Sequence, residues 1–77
     1  MRFAYDEAAN AVYVFLAEKP YAYGRDLDSE RRIDYAADDT PVGVKLTCVR
    51  SGVNMVSLPA ATEIAQILRQ IEVRVYA

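Results

Sequence analysis

The first half of the chain alternates between hydrophobic and polar positions in several short runs, which is the spacing of β-strands. We predict about five strands, separated by turns where polar residues and proline interrupt the runs. The predicted strands are residues 2–5, 11–17, 21–28, 32–35 and 42–49. The clearest pair lies at residues 31–49, where two alternating segments flank the turn residues Asp38-Asp39-Thr40-Pro41. This arrangement predicts a β-hairpin.

The last third of the chain changes to helical spacing. Hydrophobic positions in residues 60–71 recur every three or four residues, which predicts an amphipathic helix packed on one face of the sheet. The sheet is predicted to span residues 2–49, and residues 50–59 are predicted to connect it to this helix. Alternation returns in residues 72–76, which predicts a short last strand at a sheet edge. The predicted fold class is α+β: an antiparallel β-meander with one C-terminal helix, in a single domain spanning residues 1–77.

Residues 11–17 form the most hydrophobic run and are predicted to be a central strand. Alternation places Val12 and Val14 on one face and Tyr13 and Phe15 on the other, so both faces of this strand are apolar. A single helix covers only one side of a sheet. The second side must therefore be closed by a loop, by curvature of the sheet or by another subunit.

Gly43 lies inside the predicted strand 42–49, where a glycine weakens the strand unless a neighbouring group needs the space. We expect a side chain to pack directly over it, and Tyr13 and Tyr35 are the candidates. Cys48 falls on the apolar face of the same strand, which predicts a buried and unreactive thiol.

The small size of the chain calls for an additional source of stability. A domain of this size buries only about 60% of its unfolded surface. The single Cys48 cannot form an intramolecular disulfide, and the absence of histidine removes the nitrogen ligand that zinc favours. We therefore predict a homodimer, with Tyr13, Phe15, Tyr23 and Val75 as candidate interface residues.

Charge and hydropathy narrow the range of partners and locations. Residues 1–40 carry nine acids and five bases, whereas residues 41–77 carry two acids and four bases. An acidic first half disfavours nucleic acid, which needs clustered Lys and Arg, and it is compatible with a basic partner protein. Acids that only solvate strands and turns explain the same pattern. The N-terminal acids, the lack of a membrane-length apolar run and the unpaired thiol predict a cytoplasmic location.

Acidic residues supply the candidate chemistry. Asp6 and Asp34 are the candidate catalytic pair, because each lies beside a tyrosine at a predicted strand end. Asp6, Asp38 and Asp39 are candidate ligands for Mg²⁺ or Ca²⁺ if their two turns fall at the same end of the sheet. Acids in turns also bond the local backbone, which is a purely structural explanation. We predict no cofactor, and a carboxylate-based enzyme or metal-binding protein is the alternative to a non-catalytic binding module.

Two segments together resemble one protein family. The first is Tyr5-Asp6-x-x-x-Asn10-Ala11-Val12-Tyr13-Val14-x-Leu16. The second is Ile33-Asp34-Tyr35-x-x-Asp38-x-x-x-Val42-Gly43-Val44-x-Leu46. Residues 2–48 are similar to the small bacterial proteins grouped as domain of unknown function 2283. The resemblance implies a β-meander whose firmest element is the hairpin between Asp34 and Gly43. Because some members look like partners of small toxin-like proteins, it also implies an antitoxin-like role.

Overall fold

Five antiparallel strands form the main sheet in the computed structural model, which describes residues 1–77. The strands are β1 (Arg2–Asp6), β2 (Ala11–Phe15), β3 (Tyr23–Asp26), β4 (Arg31–Tyr35) and β5 (Pro41–Thr47). Their order across the sheet is β1-β2-β5-β4-β3. A hairpin of β1 and β2 therefore lies beside a meander of β3, β4 and β5, and the pairing of β5 with β2 joins the two.

The C-terminal part of the chain adds a second, smaller unit of structure. It consists of a 3-10 turn (Val49–Ser51), β6 (Val53–Asn54), helix α1 (Ala61–Gln70) and β7 (Val75–Tyr76). Helix α1 has ten residues, which is too short to span a membrane, and no other helix in the chain is longer. The predicted α+β class, with one helix after an antiparallel sheet, is confirmed.

The last strand exists, but it does not lie at an edge of the main sheet as predicted. β7 pairs with β6 in a parallel arrangement. The Val53 N–H donates to the Arg74 carbonyl at 2.8 Å, and the Met55 N–H donates to the Tyr76 carbonyl at 2.7 Å. The intervening helix makes this possible, because parallel strands need a long crossover between them.

Helix α1 covers one face of the main sheet, the face that carries Val12 and Val14. Its buried residues follow the predicted three- and four-residue spacing: Ile64, Ala65, Ile67 and Leu68. Ile64, Ile67 and Leu68 pack into a core of twelve buried residues with the inward side chains of β2, β4 and β5. Val12 and Val14 are at most 1% exposed. The face of the main sheet that α1 covers therefore forms part of the hydrophobic core.

Cys48 is exposed, and the prediction of a buried thiol is wrong. β5 ends at Thr47, and Cys48 adopts a left-handed backbone conformation with φ of 55°. This turn breaks the alternation, so that Val49 enters the core in place of Cys48 and is fully buried. Alternation alone carries no signal for the residue at which a strand ends.

Candidate functional site

No helix or strand packs on the main-sheet face opposite α1, which we call the open face. The pairing register assigns to this face the residues that alternate with the core positions of each strand. They are Arg2, Ala4, Asp6, Ala11, Tyr13, Phe15, Gly24, Asp26, Arg32, Asp34, Gly43, Lys45 and Thr47. Charged and aromatic side chains are therefore interleaved across a surface that has no cover within the chain.

Three polar side chains lie flat across the centre of the open face. The Tyr13 hydroxyl donates to Asp34 Oδ2 at 2.6 Å, and Arg32 Nε donates to Asp34 Oδ1 at 3.2 Å. The Arg32 guanidinium also donates to Asp26 at 3.3 Å and to the Tyr21 hydroxyl at 3.2 Å. The Asp34 side chain is only 14% exposed. Because both of its oxygens accept hydrogen bonds, Asp34 fixes its neighbours in place.

Two glycines make room for these flat side chains. A Cβ atom at Gly43 would overlap the ring and hydroxyl of Tyr13, and one at Gly24 would overlap the Arg32 guanidinium. The predicted close approach over Gly43 is confirmed, and Tyr13 is the residue that makes it. Each glycine lets a side chain from an adjacent strand lie against the backbone.

The position of the Tyr13 hydroxyl changes its acidity. Burial disfavours the charged tyrosinate, and the hydrogen bond to Asp34 together with the charge of that carboxylate opposes it further. These effects raise the pKa of Tyr13 to about 12. The Tyr13–Asp34 bond therefore persists across the physiological pH range.

We expect the ultraviolet absorbance of tyrosinate to show Tyr13 ionising near pH 12, above the ordinary tyrosine pKa of about 10. A raised pKa in the folded state means that this group stabilises the fold fully below pH of about 10, and that its contribution is lost as the pH rises through about 12. The difference between the titrations of the wild type and Tyr13→Phe isolates this tyrosine.

Asp34→Asn is the companion variant for this titration. It removes the carboxylate charge and is expected to lower the Tyr13 pKa. A wild-type Tyr13 that ionises near pH 10 would show that its hydroxyl is not held by Asp34.

The half of the open face formed by β1 and β2 carries two aromatic side chains, Tyr13 and Phe15. The rings of Tyr13 and Phe15 meet edge to face with centroids 4.9 Å apart. The Arg2 guanidinium lies 4.4 Å above the Phe15 ring, in cation–π geometry. Phe15 remains 36% exposed. A shallow hollow lined partly by Ala4 and Ala11 adjoins Tyr13. Two aromatic rings, one of them exposed, therefore lie side by side on this half of the open face.

The four predicted interface residues do not share one surface. Tyr13 and Phe15 lie together on the open face. Tyr23 lies on edge strand β3, where its ring stacks on Tyr35 with centroids 5.0 Å apart and its hydroxyl donates to Asp39 at 2.6 Å. Val75 lies on β7 and packs against the core from the helix side.

The candidate catalytic pair does not converge. Asp34 shares a cross-strand row with Arg2, and Asp6 is four residues further along β1. Two strands also separate β1 from β4, so Asp6 and Asp34 are roughly 13 Å apart along the strands and roughly 14 Å apart across them. Asp6 Oδ1 instead accepts the Ala9 N–H at 3.0 Å, which closes the turn after β1.

The candidate metal ligands lie at opposite ends of the sheet. Three antiparallel pairings separate β1 from β4, so these two strands run in opposite directions. Asp6, at the end of β1, therefore lies at one end of the sheet, and Asp38 and Asp39, which follow β4, lie at the other. Asp38 accepts Lys19 Nζ at 2.7 Å and the Thr40 N–H at 3.1 Å. The Lys19 ammonium, with the Thr40 bonds, lowers the pKa of Asp38 to about 2. No three acids, cysteines or histidines cluster as metal ligands would.

Sequence reasoning missed Arg31, which links the sheet to the C-terminal part. Its Nε donates to Asp28 at 2.9 Å, and its Nη1 donates to the carbonyls of Asn54, at 2.9 Å, and Val56. The Arg31 side chain is 11% exposed. The one sequence feature that could have indicated this role is that Arg31 lies two residues before Ile33, so both side chains are on the core side of β4.

A family model described as Protein of unknown function (DUF2283) matches residues 2–47. The match begins with β1 and ends with β5, so it contains the whole main sheet and the open face. It agrees to within one residue with the segment predicted from the two motifs. No curated protein and no solved structure matches the chain.

Proposed function

The chain belongs to the DUF2283 family of proteins of unknown function, and we propose that it is a non-catalytic, protein-binding or regulatory module that acts as a homodimer. The observation that carries this proposal is the main sheet with one face buried by α1 and the other bearing Tyr13 and Phe15 without cover. A catalytic role is less favoured, because Asp34 is occupied by Tyr13 and Arg32 and lies far from Asp6.

The open face has a physical property that suits binding. Tyr13 is held by Asp34 and by the Phe15 ring, so its orientation is fixed before any partner arrives. Association costs less entropy when the contacting side chains are already ordered. Aromatic side chains also supply large contact areas with few rotatable bonds.

The homodimer is tested by multi-angle light scattering and sedimentation equilibrium at micromolar concentration. We expect a mass twice that of the 8.6 kDa chain, with dissociation to the monomer on dilution. A single monomeric species across the micromolar range would overturn this proposal.

A small basic protein is the specific heterologous partner that we propose, in the manner of an antitoxin. The ends of β1 and β3 lie at the same end of the sheet, because four antiparallel pairings separate these strands. Two acids there, Glu7 and Glu30, have no ion pair within the chain. We place this function in the cytoplasm, where the exposed Cys48 thiol stays reduced.

Co-expression with any small basic protein encoded beside the gene for this chain tests this partner. We expect a complex that survives purification at low salt and dissociates as salt increases. Purified chain that binds none of these neighbours in pairwise assays would count against the antitoxin-like role.

A further inference from the structure

Strand β1 lies at an edge of the main sheet, and its outer side carries unpaired backbone groups. The Leu16 N–H donates to the Val42 carbonyl at 2.9 Å, so the even-numbered residues of β2 are the ones that bond to β5. The odd-numbered residues of β2 therefore bond to β1. Alternate residues of an antiparallel strand bond to opposite neighbours. Ala4 is consequently bonded to β2, and the N–H and C=O groups of Phe3 and Tyr5 point toward the free edge.

We propose that β1 of one protomer pairs antiparallel with β1 of a second copy, centred on Ala4. This inference rests on the proposed homodimer and specifies its interface. Arg2 then lies opposite Asp6 of the partner subunit, and Phe3 lies opposite Tyr5 of the partner subunit. The two Ala4 residues face each other at the two-fold axis, in the close pair without hydrogen bonds where small side chains fit.

The sequence of β1, Arg2-Phe3-Ala4-Tyr5-Asp6, is complementary to itself in this register. A cation meets an anion at each end, and an aromatic ring meets an aromatic ring on the core side. A register centred on Phe3 or on Tyr5 loses both ion pairs. The register centred on Ala4 is therefore the one that satisfies both charges and aligns all five residues.

The charged residues of β1 are available for this pairing. Arg2 lies above Phe15 but makes no hydrogen bond or ion pair within the chain, and its side chain is exposed. Asp6 accepts the Ala9 N–H with Oδ1 and has no bond on Oδ2. Both partners of the proposed ion pair thus keep unoccupied donor and acceptor sites.

The other edge strand, β3, does not have this complementarity. Its four residues are Tyr23, Gly24, Arg25 and Asp26. Pairing centred on Arg25 places two guanidinium groups opposite each other, which is destabilising. Charged residues on a short edge strand also discourage pairing in general.

Pairing through β1 has a consequence for the open face. A two-fold axis between antiparallel edge strands keeps equivalent faces on the same side of the extended sheet. The aromatic patches around Tyr13 and Phe15 of both protomers then lie on one continuous surface. A partner would meet a binding surface twice the size of that on the single chain.

Charge reversal and mixing test the pairing. Arg2→Asp places acids opposite acids, and Asp6→Arg places bases opposite bases, so each variant alone is expected to raise the dimer Kd about tenfold or more. Mixed together, the two variants restore both ion pairs across the interface. We expect a heterodimer whose Kd returns to within about threefold of the wild type, measured by sedimentation with one chain labelled.

Two further variants keep the test interpretable. Asp6→Asn retains the hydrogen bond to Ala9 and removes only the charge. We expect a weaker dimer, with thermal unfolding unchanged when both proteins are compared at a concentration where they are monomeric. Arg25→Asp makes the same charge change on β3 and should leave the Kd unchanged.

If the wild type is a dimer and neither Arg2→Asp nor Asp6→Arg weakens it, the β1 pairing is overturned, but the proposed homodimer is not. The same conclusion follows if mixing gives no recovery, or if Arg25→Asp weakens the dimer as much as Arg2→Asp does. A wild-type monomer would instead overturn the proposed function itself.

Discussion

Leu68→Ala is expected to lower the free energy of unfolding by about 2–5 kcal/mol. Leu68 is fully buried in the last turn of α1 and belongs to the core between the helix and the main sheet. Removing its side chain leaves a cavity, because a close-packed interior relaxes only partly around the missing atoms. A domain of this length has a total stability of roughly 4–12 kcal/mol, so this loss is a large fraction of the whole.

Urea unfolding followed by circular dichroism measures this change. Protein concentration must be kept constant, since dimerisation shifts the apparent stability. Gln66→Ala is the matched control, because Gln66 lies on the exposed side of the same helix, and its effect is expected to stay within about 0.5 kcal/mol. Equal effects of the two variants would mean that α1 does not pack on the sheet through Leu68.

Gly43→Ala is expected to destabilise the protein by about 1–2 kcal/mol, although a glycine in a strand is normally unfavourable. Replacing such a glycine by alanine would gain about 0.5–1 kcal/mol on backbone grounds. The new methyl group would displace the Tyr13 ring and break its hydrogen bond to Asp34. A hydrogen bond to a charged group contributes about 1.5–3 kcal/mol, so the loss exceeds the gain.

A double-mutant cycle with Tyr13→Ala tests this explanation. Without the tyrosine ring the nearest atoms that the methyl group would displace are gone, and Gly43→Ala should then stabilise the protein by about 0.5–1 kcal/mol. The change of sign is the expected result in chemical denaturation. A Gly43→Ala effect that is the same with and without Tyr13 would contradict the proposed cause.

The local pattern of the sequence was sufficient for much of the fold. Alternation separated Val12 and Val14 from Tyr13 and Phe15, and helical spacing identified the buried face of α1. These predictions succeed because a strand or helix buries one face in phase with its own repeat. The close contact over Gly43 followed in the same way from a residue that is weak in strands.

Longer-range features could not be predicted from local pattern. Because β5 lies between β2 and β4, Asp6 falls at one end of the sheet, and Asp38 and Asp39 fall at the other. Most left-handed backbone conformations were also missed, because residues other than glycine adopt them at six positions. These are Asn10, Asp39, Cys48, Ser57, Ala60 and Glu72. Only Asn10 and Asp39 are residue types that favour such a conformation.

The end of the family match does not coincide with the end of the hydrophobic core. The match ends at Thr47, yet seven of the twelve core residues come from the segment after it: Val49, Val53, Leu58, Ile64, Ile67, Leu68 and Val73. A fragment cut at that boundary would lay bare the hydrophobic underside of the sheet. The segment from Cys48 onward therefore supplies the larger share of the core side chains, although the family match does not include it.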